Sequence, residues 1–188
     1  MKKTRMGWAA VAALSLSTAA SAQGYLGASI GQTHLNADCS GTLTCDTSDT
    51  GFKAFGGYKF HPNMALELNY LNFGKAKASA LVGGTTVNAE IKTTGIGAGV
   101  AFMGEFAPSW LGTARVGVAR VKTEITGSMS GLFASDSESS TQAYFGLGVG
   151  YAMTKNVSLD LSADFSRSHY AGESSNVRMV GLGLTASF

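Results

Sequence analysis

The stretch Val180-Gly181-Leu182-Gly183-Leu184-Thr185-Ala186-Ser187-Phe188 alternates strictly between apolar and small or polar residues. A period of two is that of a β-strand carrying one apolar face. In a soluble protein such a bare face invites aggregation. The pattern fits a strand whose apolar face meets lipid and whose small face lines the inside of a closed barrel.

The same alternation recurs upstream, giving eight segments at roughly 24–33, 51–60, 64–74, 89–103, 109–122, 141–153, 157–168 and 177–188. Phe52, Ala54, Gly56, Tyr58 and Phe60 alternate with Lys53, Phe55, Gly57 and Lys59. Val157, Leu159, Leu161, Ala163 and Phe165 alternate with Ser158, Asp160, Ser162 and Asp164. One such segment is weak evidence, but eight in order, each long enough to cross a bilayer, are strong. The connections alternate long and short: 34–50, 61–63, 75–88, 104–108, 123–140, 154–156 and 169–176. Outer-membrane barrels show that rhythm, with short periplasmic turns and longer external loops. The expected fold is an all-β, eight-stranded antiparallel up-and-down transmembrane barrel with both termini on the periplasmic side. A soluble sandwich would not demand the rhythm, and a lipocalin-like barrel would turn its apolar faces inward.

The faces can be assigned by charge. Lys53, Glu67, Arg115, Asp160 and Asp164 all share the glycine-rich face. A basic residue facing lipid at mid-depth costs about 2–4 kcal/mol, so the charged face is expected to be the lumen. Aromatic residues cluster near both ends of the segments, as two interfacial girdles would.

Residues 1–22 read as a secretory signal: Lys2, Lys3 and Arg5, an apolar stretch, then Ala20-Ser21-Ala22 as the cleavage site. The apolar stretch is shorter than the roughly 20 residues that span a bilayer, so a retained anchor is the lesser alternative. Residues 23–188 are then one barrel domain, with export through the periplasm to the outer membrane. Beyond the signal, 11 basic residues face 12 acidic ones, and no basic stripe suggests nucleic acid.

The run Gly51-Phe52-Lys53-Ala54-Phe55-Gly56-Gly57-Tyr58-Lys59-Phe60 is followed by Pro62-Asn63 and by Ala65-Leu66-Glu67-Leu68-Asn69-Tyr70. With Tyr144-Phe145-Gly146-Leu147-Gly148-Val149-Gly150-Tyr151 and the terminal Phe188, these residues resemble the outer membrane protein A-like transmembrane domain family. The resemblance implies a small eight-stranded barrel of Gram-negative bacteria, and recognition of Phe188 by the barrel assembly machinery. Larger members carry a peptidoglycan-binding domain after the barrel. No such function is expected of a sequence that runs only to Phe188.

Cys39 and Cys45 lie in the first long connection, and an exported chain crosses an oxidising compartment, so a disulfide is expected. A metal site lacks a tetrahedral ligand set, and Asp46 and Asp49 read as solvated acids. The lumen charges Lys53, Lys59, Glu67, Arg115, Asp160 and Asp164 must find partners. Lys59 is expected near Glu67, and Arg115 level with the two aspartates. They form either a structural plug or the gate of a narrow pore. His169, Glu173, Ser174 and Ser175 offer the residue types of a lipid A-modifying enzyme. Lipid A deacylases carry His-x-Ser-Asn, however, and His169 is followed by Tyr170-Ala171-Gly172. No catalytic activity, cofactor or metal is expected. The expected partners are outer-membrane lipid and lipopolysaccharide around a monomer, with a structural or surface-interaction role ahead of a low-conductance pore.

Overall fold

The computed structural model describes residues 23–36, 43–82, 85–129, 132–170 and 173–188. Among the described residues nine strands follow one another: β1 Gly24–Leu35, β2 Thr44–Asp46, β3 Ser48–His61, β4 Met64–Val82, β5 Thr85–Ala107, β6 Trp110–Met129, β7 Leu132–Ala152, β8 Val157–Tyr170 and β9 Glu173–Ser187. Eight of them form an antiparallel up-and-down barrel, and β2 is a short addition on the edge of β4. Closure occurs where β1 pairs with β9, from Tyr25 opposite Ser187 to Leu35 opposite Val177. The terminal strand therefore leaves no free edge along that seam.

The registers fix the barrel's shape. Stepping from partner to partner, Trp110 leads to Tyr151, Leu159, Leu184, Ala28, Ala54, Tyr70, Ile96 and back to β6 at Arg120. One circuit thus climbs ten residues, from Trp110 to Arg120. With eight strands, that shear corresponds to a tilt of about 40°. Every residue on the circuit points outward, so it also maps height. Ten residues on strands so tilted rise about 25 Å, the height of a membrane band.

The strands run farther than the alternation suggests. The connections expected at 75–88 and 123–140 are largely hairpin, paired up to Val82 opposite Thr85 and Met129 opposite Leu132. The connection expected at 169–176 is likewise paired up to Tyr170 opposite Glu173. Ser, Thr, Val and Ile fill these arms, and β-branched residues favour an extended chain wherever a neighbour already offers a ladder. At the base of one arm the β4–β5 register shifts between Asn72 and Lys75, and Gly74 takes φ 73°. A side chain at Gly74 would collide with Asp49, whose carboxylate accepts a hydrogen bond from the Lys75 backbone N–H at 2.7 Å.

Side-chain orientation follows the expected phase. Leu68 is 66% exposed and Leu182 56%, whereas Lys53 and Asp164 are fully buried. The exposed apolar side chains face lipid, and the buried core lies inside the barrel.

Candidate functional site

The interior is layered. Towards the turn end, Tyr25, Phe55, Ala65 and Ala101 pack together, with Met103 against them. The Tyr25 and Phe55 rings meet edge to face at 6.3 Å. Room for these rings comes from glycine: a Cβ on Gly57 would lie 2.4 Å from the Tyr25 ring, and one on Gly27 2.3 Å from Phe55.

Above lies the charge layer. Lys53 Nζ donates to both Asp164 oxygens, at 2.9 and 2.7 Å, and Tyr144 Oη donates to Asp164 Oδ1 at 2.5 Å. Arg115 Nε donates to Glu67 at 2.8 and 3.1 Å, and Tyr25 Oη donates to the same carboxylate at 2.9 Å. The two cations flank Phe55, with Lys53 Nζ 5.1 Å and the Arg115 guanidinium 4.9 Å from the ring centroid. Each buried charge thus has a charged partner, and a tyrosine hydroxyl serves each carboxylate while the Phe55 ring serves each cation, which offsets their desolvation. A pocket beside Lys53, Phe55 and Arg115 holds about 10 Å³, at the lower limit for one water molecule.

Not every expected partnership forms. Lys59 does not meet Glu67: it stands opposite Ala65, while Glu67 is opposite Gly57, one step farther from the turn. Its ammonium lies 5.9 Å from the Tyr25 ring centroid instead. Arg115 and Asp164 stand in one register across Gly146. Their charges nevertheless reach across the lumen to Glu67 and Lys53, on strands where opposite charge is available at the same height. Asp160 accepts from the Ser158 hydroxyl at 3.0 Å, and among the described residues no ion pair engages it. Lys59 and Asp160 instead line a cavity of about 180 Å³ at the turn end.

The sequence reading also missed a third layer. Leu35, Leu71, Phe73, Val121, Val177, Met179 and Tyr144 close into an apolar cluster on the far side of the charges. The clue was available, since Leu71 and Phe73 continue the parity of Glu67 and Asn69.

Cys45 sits on β2 opposite Ala78, and Cys39 falls outside the described residues, as does the expected signal at 1–22. Phe188 donates its backbone N–H to the Gly24 carbonyl at 3.0 Å, at the closing seam. His169 and Ser175 flank the end of the β8–β9 hairpin, and among the described residues no cluster suited to a metal ion occurs.

Outside, Trp110, Tyr151, Tyr58, Phe60, Phe102 and Phe188 form the lower aromatic ring, and Phe52, Tyr70, Phe145 and Phe165 the upper one. Beyond the upper ring the outward positions turn basic: Lys75, Lys77, Lys92, Arg120, Lys122, Arg167 and Arg178. These are seven of the 11 basic residues beyond position 22. Lys75 pairs with Glu90 at 2.9 Å and Lys122 with Glu124 at 2.8 Å. The hydrogen bond from Lys122, then its charge, holds the Glu124 carboxyl below its usual range, and Glu90 raises Lys75 in the same way.

A family model described as outer membrane protein beta-barrel domain matches residues 6–188. The chain belongs to that family. It is an integral outer-membrane β-barrel protein, and its location is the outer membrane. Among solved structures it is similar to the attachment invasion locus protein Ail of Yersinia pestis, at 17% identity and TM-score 0.58, covering 89% of this chain and 99% of that one. It is also similar to neisserial surface protein A, at 16% identity and TM-score 0.59, covering 88% and 97%. The N-terminal barrel of Pseudomonas aeruginosa OprF follows at 16% identity and TM-score 0.54, covering 88% and 98%. No curated protein sequence matches the chain. At these identities the likeness is one of fold.

Proposed function

We propose that the protein is a sealed structural barrel that supports the outer membrane and presents polar hairpins at the cell surface. The observation that carries this reading is the double closure of the lumen: a layer of paired charges, then an apolar layer of Leu71, Phe73, Val121, Val177 and Met179. A pore would need a continuous wet path, and the cavity beside Lys59 and Asp160 reaches Phe55 and Arg115 at the charge layer, where the ion pairs span the lumen. The ion network is structural in this reading. Planar-bilayer recordings are therefore expected to be silent for the wild type and equally silent for Arg115→Ala, because the apolar layer still closes the barrel. Altered conductance in that variant would favour the gated pore.

The paired arms beyond the upper aromatic ring support a surface role. They hold a groove of about 560 Å³ on β2, β4, β5 and β6, lined by Thr44, Asp46, Ala78, Asn88, Ala89 and Glu90. The basic outward positions supply charge for the phosphates of lipopolysaccharide. A monomer inserted by the barrel assembly machinery, with no catalytic activity, completes the reading. A disulfide between Cys39 and Cys45 would fasten the first arm, since β2 pairs with β4 through only three residues. Maleimide labelling of the unreduced protein is expected to find no thiol, and two after reduction. Two thiols before reduction would rule the bridge out.

A further inference from the structure

The barrel wall parts between β7 and β8. The β7–β8 ladder ends at Phe145 opposite Phe165, whereas β7 stays paired with β6 up to Leu132, and β8 with β9 up to Tyr170. Past that pair the ladder gives way to a side-chain bridge, Ser166 Oγ donating to the Ala143 carbonyl at 3.2 Å, and a cleft of about 370 Å³ opens between the hairpins. Its floor is formed by Phe145 and Phe165, both members of the upper aromatic ring. Its walls carry Gln142 from β7 and Arg167 and Asn176 from β8 and β9. Arg178 lies beside Phe165 in the register, and Arg120 lies opposite Thr141 on the other hairpin.

We propose that this cleft seats the head of a phosphorylated glycolipid of the outer leaflet, with a phosphate on Arg167 and Arg178 and acyl chains on Phe145 and Phe165. The inference rests on the outward face meeting lipid, and deepens the lipopolysaccharide contact proposed above. Three observations converge on this occupant. The cleft sits where an apolar band gives way to a basic one, the depth of a lipid headgroup. Arg120, Arg167 and Arg178 are exposed, and among the described residues no carboxylate forms an ion pair with any of them. The outward acids of the neighbouring arms, Glu90 and Glu124, are occupied by lysines. Guanidinium groups bind phosphate through paired N–H donors, and the amide of Asn176 suits a sugar hydroxyl.

The test uses the folded full chain in phosphatidylcholine nanodiscs doped with bisphosphorylated lipid A, with native mass spectrometry counting the lipid A retained per barrel. Arg167→Ala with Arg178→Ala is expected to weaken retention about tenfold or more, and Arg167→Lys with Arg178→Lys by less. Lys155→Ala, at the turn end, should leave it unchanged. Heat-modifiable gel mobility verifies that each variant is folded. Equal retention by the double alanine variant would overturn the site. So would equal retention of dephosphorylated lipid A by the wild type. Displacement of the lipid by millimolar inorganic phosphate would show a site for free anions and defeat the lipid assignment. None of these outcomes alters the conductance expected of a sealed barrel, so the two readings fail separately.

Discussion

Replacing Asp164 by alanine is expected to cost about 3–5 kcal/mol of folding stability. Its carboxylate is fully buried and accepts hydrogen bonds from Lys53, Tyr144 and Ser162. Removing it leaves the Lys53 ammonium inside the barrel with the Phe55 ring as its remaining close partner, because Glu67 is taken by Arg115 and Tyr25. Truncating one member of a buried pair costs more than replacing both, since the survivor keeps its desolvation penalty. Urea unfolding in lipid vesicles, followed by tryptophan fluorescence, measures the loss. Lys53→Met combined with Asp164→Leu should recover most of it. Asp160→Ala is the control, expected to stay within about 0.5 kcal/mol because no ion pair holds that residue. A small effect for Asp164→Ala, or no recovery in the double variant, would mean that the charge layer does not hold the wall together.

The contrast between Asp164 and Asp160 shows how far the sequence could be read. Alternation assigned both to the lumen, because a period of two needs only the local chain and the cost of a charge in lipid. Ion-pair partners are a different matter. They depend on the shear, which places Lys53 and Asp164, 111 residues apart in sequence, at one height across the lumen. No local pattern carries that number; it emerges only when all eight registers close on themselves. The same reason explains Lys59, whose nearness to a turn suggests a pairing with Glu67 although it lies one step below that residue in the closed barrel. Strand ends are harder to read for a simpler cause. Beyond the membrane both faces of a strand meet water, so the apolar alternation fades although the backbone ladder continues.

Phe73→Ala is expected to destabilise the barrel by about 3–5 kcal/mol, the range for a fully buried aromatic truncated in a core. Phe73 lies within the apolar cluster, and its backbone carbonyl accepts the Thr33 hydroxyl at 2.7 Å, so the backbone stays anchored and the site collapses only in part. The truncation leaves a void in the apolar layer. Ion flow should nevertheless remain absent in Phe73→Ala. The charge layer beneath it is untouched, and two closures in series each suffice to stop an ion. Only a variant that breaks both, Phe73→Ala with Arg115→Ala, is expected to show current in planar bilayers. Current in Phe73→Ala alone would show that the paired charges never closed the lumen, and would transfer the sealing role to the apolar layer entirely.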